Sequence, residues 1–176
     1  VRAVLESDWG RQWATGESVG GLSTWYIDAI DALIEEPADS VFMGGTGPGP
    51  DSPIQVGTAS FRFPGGTLGE WAFNLRSGAD LDLRLRVVGA GSEIEADLLS
   101  GGYRHRRPGE DWTTGEAVSS MPVHGFVGMR EAVIAFLAAV RRERDTLSGP
   151  DVYRRVHSMQ TAIWRSVTAG TAVRPD

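Results

Sequence analysis

Leu81-Asp82-Leu83-Arg84-Leu85-Arg86-Val87 and, after the break at Gly89-Ala90-Gly91, Glu93-Ile94-Glu95-Ala96-Asp97-Leu98 are two runs in which apolar and charged residues alternate. Successive side chains of a strand point to opposite faces, so a period of two gives each strand one apolar and one charged side. Strands covered on one side and wet on the other belong to an antiparallel sheet. Opposite one another, Arg84 and Arg86 meet Glu93 and Glu95 as cross-strand ion pairs on a solvated face, a simpler account of these charges than a ligand site.

Working outward, Ile54 to Phe63 and Thr67 to Arg76 read as two strands joined by the turn Pro64-Gly65-Gly66, a hairpin. Asp39 to Gly45 is a further strand, and Gly44-Gly45-Thr46-Gly47-Pro48-Gly49-Pro50 a loop in which regular structure should not persist. Val1 to Asp8 alternates as a strand, and the polar stretch Trp9 to Gly21 reads as a loop. From an N-cap at Ser23 or Thr24 a short helix runs to Glu36 and stops before Pro37, with Ile27, Ile30, Leu33 and Ile34 as its buried stripe and Asp28 and Asp31 nearer the edge. Downstream, Gly101 to Met121 reads as a last strand and a loop. Phe126, Met129, Val133, Phe136, Leu137 and Val140 have helical spacing, with Arg141, Arg142 and Arg144 at the helix end where they suit the dipole. After the capping sequence Ser148-Gly149-Pro150-Asp151, Val152, Val156, Met159, Ile163 and Val167 mark a second long helix up to Gly170. The expectation is one α+β domain over residues 1–176, a mostly antiparallel open sheet with helices packed on one face.

Composition excludes several functions. The net charge of −6, with arginines dispersed along the chain, argues against nucleic acid as a partner. Without cysteine there is no disulfide, thiolate metal site or cysteine nucleophile. All 17 basic residues are arginine, so no lysine of this chain can form a Schiff base or act as a general acid. No apolar run reaches the roughly 20 residues that cross a bilayer, and the first residues lack the pattern of a targeting segment, so a cytoplasmic protein without membrane contact is expected. Gly45-x-Gly47 lacks the third glycine of a dinucleotide fingerprint, since Pro50 stands in its place, and no helix is expected to start there.

Three segments in this order resemble the C-terminal domain of the Gfo/Idh/MocA oxidoreductase family. They are Gly20-Gly21 leading to a helix that ends in acids before Pro37, Phe61-Arg62-Phe63-Pro64-Gly65-Gly66-Thr67-Leu68-Gly69, and Phe126 to Val140 followed by Leu147-Ser148-Gly149-Pro150-Asp151 and Ala162-Ile163-Trp164-Arg165-Ser166. The resemblance implies a fold like the C-terminal domains of dihydrodipicolinate reductase and glyceraldehyde-3-phosphate dehydrogenase. It also implies a sheet used for homo-oligomer formation, and one wall of a pocket for a sugar, inositol or similar polyol. NAD or NADP would be bound by a Rossmann domain, absent from this chain and expected in cis or in trans, so that no cofactor is expected to bind here alone. The family's catalytic lysine comes from that other domain. Its helical histidine aligns with Asp28, its aspartate four residues earlier with Thr24, and a usual glycine with Tyr26; Asp31 matches the acid that follows.

Asp28 is thus the candidate catalytic residue, and Thr24, Trp25 and Tyr26 are candidates for substrate binding. Thr24 and Asp28 lie four apart, on one side of a helix, where a carboxylate can hold a sugar hydroxyl or accept its proton. A helix cap with a solvated acid explains the same two residues, and helix-to-sheet anchors explain Trp25 and Tyr26. His105 and His124 read as exposed, His157 as structural, and the three lack the spacing of metal ligands. Three functions stay open: the substrate and association domain of an NAD(P)-dependent oxidoreductase, a stand-alone binding or dimerisation protein of the same fold, and a cofactor-free lyase or isomerase using Asp28.

Overall fold

Ala59, Phe61 and Phe63, and then Trp71, Phe73 and Leu75, alternate along two segments, and these are the side chains that the structure buries. The structure is a computed structural model describing residues 1–6, 16–47, 54–77, 82–117, 129–145 and 149–176. In chain order its elements are β1 (Arg2–Glu6), α1 (Gly16–Ile34), β2 (Ser40–Thr46), β3 (Val56–Arg62), β4 (Leu68–Asn74), β5 (Asp82–Val88), β6 (Glu93–Asp97), β7 (Gly102–Arg106), β8 (Thr113–Glu116), α2 (Met129–Val140) and α3 (Pro150–Ala169). They divide between two compact units, Val1–Asp82 with Asp151–Asp176, and Leu83–Pro150.

In the first unit the strand order is β2-β3-β4-β1, with β1 parallel to β4 and the other pairs antiparallel. The expected hairpin is there: Phe61 lies opposite Gly69, and the turn Pro64–Gly66 has both glycines at positive φ, 72° and 85°, which only glycine adopts without strain. Ala3, Leu5, Val41, Met43, Ala59, Phe61, Trp71 and Phe73 point to one face, where they meet Tyr26, Ile27 and Ile30 of α1 and Val156, Met159 and Ile163 of α3 in a single buried cluster. Gly69 lets α1 approach this closely, since a Cβ there would lie 2.9 Å from Ile30 Cγ2. Stacked rings run through the middle, with Tyr26 5.7 Å from Trp71 and Trp71 4.5 Å from Phe73. The outer edge of β2 is covered by the chain's last segment: Val41 and Val173 exchange two backbone hydrogen bonds, and Ser166 Oγ accepts from Met43 N while donating to Thr171 O.

Three expectations about this unit need correction. Helix α1 begins at Gly16, well before Ser23, so residues 16–21 are helical and Thr24 is an interior residue, not a cap; residues 7–15 lie outside the described residues. Gly44 and Gly45 continue β2 instead of opening a loop, because a side chain at Gly45 would strike Ile54 and the Val56 carbonyl of the partner strand. The buried stripe of α1 is rotated: Ser23, Tyr26, Ile27, Ile30 and Asp31 are buried, while Leu33 is 51% exposed.

The second unit has the order β5-β6-β7-β8, all antiparallel, and Gly101 to Met121 therefore yields two strands where one was expected. The turn between them is Arg107-Pro108-Gly109-Glu110, closed by Glu110 N donating to Arg107 O, with proline at its second position and Gly109 at φ 81° as a type II turn requires. Of the expected ion pairs those of Arg86 form and extend by one strand, whereas Arg84 lies opposite Asp97 in the register. Arg86 binds Glu93 and approaches Glu95, Arg104 binds Glu95 (2.7 Å), Arg106 binds Glu93 through Nε and Nη2 (2.9 and 2.7 Å), and both β7 arginines pack on the Trp112 ring. This saturation explains why Glu93 is nearly buried although it was assigned to the wet face, whereas Ile94 is exposed. Helix α2 forms where its spacing requires, but Val133, Ile134, Phe136, Leu137 and Val140 are exposed, so the expectation that the helices pack their apolar sides on a sheet fails for α2. Phe126 and His124 lie outside the described residues, as does Ser148 of the expected cap. Helix α3 matches expectation, with Pro150 in its first turn and Gly170 at φ 67° ending it.

Candidate functional site

Helices α1 and α3 lie side by side in the first unit and are joined by polar bridges at two levels. Arg155 donates from Nε to Asp31 Oδ1 (2.9 Å) and from Nη2 to Asp31 Oδ2 (2.8 Å), a bidentate pair. One level away, Gln160 Nε2 donates to Thr24 Oγ1 (3.0 Å) and reaches Ser23 Oγ at 3.4 Å. Position 31 pairs with 155 and position 24 with 160, so the helices run antiparallel. Asp31 is fully buried and the Arg155 side chain about a quarter exposed. Such a pair is retained only when each charge has its partner, since either one alone would remain uncompensated out of water. The carboxylate in turn holds the Arg155 guanidinium above the ordinary arginine range, with burial opposing.

The four candidate residues occupy three sides of α1. Thr24 and Asp28 follow one another along the side next to Asp31. Thr24 is half-buried with its hydroxyl held by Gln160, and Asp28 is exposed at the surface. Partial desolvation raises the Asp28 carboxyl above its ordinary value, and the neighbouring charge of Asp31 adds to the rise. That moves it in the direction useful to a general base or acid. Trp25 points to solvent, 57% exposed, on another side. Tyr26 is a core residue; burial, and secondarily Asp82, push its phenol up, out of the range of proton transfer at neutral pH. Thr24 and Asp28 can therefore share one ligand, while Tyr26 can form a wall only by holding the helix.

Sequence reading missed Arg155 and Gln160, the residues that orient this side of α1. The available signal was slight: on α3 they flank the apolar line Val156, Met159 and Ile163, at the edges of a helix whose outer positions are otherwise polar. His105 is exposed as expected and stacks beside Tyr103 (6.2 Å); His157, expected to be structural, is exposed too and stacks beside Tyr153 (6.1 Å). Among the described residues no group of three His, Cys, Asp or Glu side chains could hold a metal ion, and no helix is long and apolar enough to cross a membrane. Gly44 and Gly45 lie in β2, and close packing against Ile54 and the Val56 carbonyl accounts for Gly45.

No family model matches the sequence, and no curated protein matches it. Solved structures do match. A putative NADPH-dependent oxidoreductase from Desulfitobacterium hafniense superposes with a TM-score of 0.75 at 18% identity, covering 98% of this chain and 55% of its own. UDP-N-acetylglucosamine 3-dehydrogenase from Acidithiobacillus ferrooxidans gives 0.78 at 16%, covering 96% and 53%. Levoglucosan dehydrogenase in complex with NADH and L-sorbose gives 0.72 at 16%, covering 99% and 58%. The chain thus spans little more than half the length of these oxidoreductases, and across that span it is an α+β protein with their fold.

Proposed function

We propose that the chain is the substrate-binding and subunit-association part of an NAD(P)-dependent oxidoreductase of the Gfo/Idh/MocA type, acting on a sugar, inositol or similar polyol. The observation that carries this reading is the match of nearly the whole chain to about half of several dehydrogenases, two of them named for carbohydrate substrates. The remaining half is the natural place for the nucleotide site and for the lysine that this chain lacks, whether in cis or in trans. NAD or NADP bound there would take up or give the hydride. On this chain, Asp28 holds a substrate hydroxyl and exchanges its proton, and Thr24, fixed by Gln160, orients the neighbouring hydroxyl. Trp25 offers an exposed ring to the sugar's apolar face, and Tyr26 fixes the helix in place. The sheet face away from the helices, with Phe42 and Leu68 exposed, serves association of like subunits.

The native polypeptide isolated from its source should be longer by about 120 to 150 residues, the usual size of a domain, or should copurify with a second chain of that size. It should oxidise polyols with NAD or NADP, and Asp28→Asn should lower kcat by about a hundredfold with nucleotide affinity unchanged. A native protein of this length alone that binds polyols without nucleotide would favour the stand-alone binding reading, for which the substitution of Asp28 for the family histidine speaks. Unchanged turnover in Asp28→Asn would remove Asp28 from catalysis.

A further inference from the structure

Beyond this function and independent of it, the second unit contains a concave site of its own. The β5–β6 turn, where Gly89 N donates to Ser92 O (2.9 Å), and the β7–β8 turn at Arg107–Glu110 lie at one end of adjoining strands, because Val88 is opposite Glu93 and Glu93 opposite Arg106. A cavity of ≈ 310 Å³ lies between the turns, lined among others by Gly89, Ser92, Glu93, Arg106, Arg107 and Gly109. That volume is at the small end of the range for small-molecule pockets.

The charges around it do not balance. Three arginines, Arg86, Arg104 and Arg106, serve two glutamates, Glu93 and Glu95. Both oxygens of Glu93 are taken, Oε1 by Arg86 and Oε2 by Arg106, which holds the carboxyl below its ordinary range through those hydrogen bonds. Arg106 spends Nε and Nη2 on Glu93 and keeps Nη1, while Arg107 has no side-chain partner among the described residues. The acids of the same loop, Glu110 and Asp111, do not line the cavity. The polar lining is therefore Arg107 without a side-chain partner, Arg106 with one nitrogen left over, Ser92, and Glu93 whose two oxygens are already taken, on glycine-bearing turns that leave space around Gly109.

We propose that this cavity binds a small phosphorylated molecule by its phosphate group. Two guanidinium groups and a hydroxyl-bearing residue, drawn from two turns, offer more donors than a planar carboxylate needs, since one guanidinium fork satisfies that, and suit a tetrahedral dianion with three terminal oxygens. The volume leaves room for a compact organic body next to Val88 and Pro108.

The test is a titration of the full chain with inorganic phosphate, at constant ionic strength, followed by amide and arginine Nε resonances, with acetate as the comparison anion. Saturable shifts at Gly89, Ser92 and Gly109, weaker with acetate, are expected. Arg107→Ala should weaken phosphate binding by roughly fivefold or more, as for loss of a charge-assisted hydrogen bond, while Arg107→Lys keeps part of it and Arg174→Ala, in the other unit, changes nothing. Absence of saturable shifts up to about 0.1 M, where salt screens exposed charges, would overturn the proposal. So would equal weakening by Arg107→Ala and Arg174→Ala, which would mean a diffuse charge effect, or acetate binding as tightly as phosphate.

Discussion

The two units use the same strand pattern for different purposes. In the first, alternate residues are large and apolar, and Phe61, Trp71 and Leu75 are buried to 1% exposure or less. In the second, among the described residues, Leu83 is the one strand residue in the buried apolar set, and Glu93, covered by arginines, is buried nearly as well. Burial of a large apolar side chain is worth roughly 1.5–3 kcal/mol and is insensitive to salt, whereas exposed ion pairs are worth little singly and are screened. A strand order alone does not say how a sheet is held; its covered face does.

The contrast can be broken most sharply at Phe61. Phe61→Ala should cost about 3–5 kcal/mol and should abolish hydrogen-exchange protection in β1–β4 while β5–β8 retain theirs. Equal loss in both sets would show that the charged strands depend on the apolar core. A smaller effect, about 3 kcal/mol as for a buried pair with one partner removed, is expected for Arg155→Ala, read by denaturant unfolding, since it strands Asp31 in the core. Arg155→Lys should rescue it only in part, because a lysine cannot form both bonds.

Smallest of all should be Glu93→Gln, which leaves the first unit untouched. Because its arginines depress the Glu93 carboxyl, its contribution is complete above the ordinary value of 4.5 and disappears as pH falls through the lower folded value. Protection of the β6 and β7 amides should therefore fall in acid and in 1 M salt, where the Debye length is about 3 Å, and the variant should no longer show the acid response. A salt response as large in β3 and β4 would erase the distinction.

Most of the strand plan was legible because it rests on local rules: alternation marked β5 and β6, Pro64-Gly65-Gly66 marked the hairpin, and apolar spacing marked α3. What failed depended on distant partners. Leu33 and Asp31 compete for the buried side of α1, and hydropathy favours leucine; a guanidinium 124 positions away decides for the acid. Gly45 looks like a loop residue until Ile54 is seen to need its space. At the candidate site, spacing sufficed to place Thr24 beside Asp28, but it could not show that Tyr26 turns into the core or that Gln160 holds Thr24.

Arg155 also bears on the order in which the chain can acquire its structure. The first unit is discontinuous in sequence, closed by residues 151–176, whereas the second is one uninterrupted segment. During synthesis from the N-terminus, Asp31 emerges long before the guanidinium that must accompany it into the core, and until then α1 has reason to keep that carboxylate in water. The local hairpins of residues 83–116, with contacts close in sequence, are free to form meanwhile. Within the first unit the earlier-made part is therefore the one that must wait, and α3, made later, is the helix that lets it close.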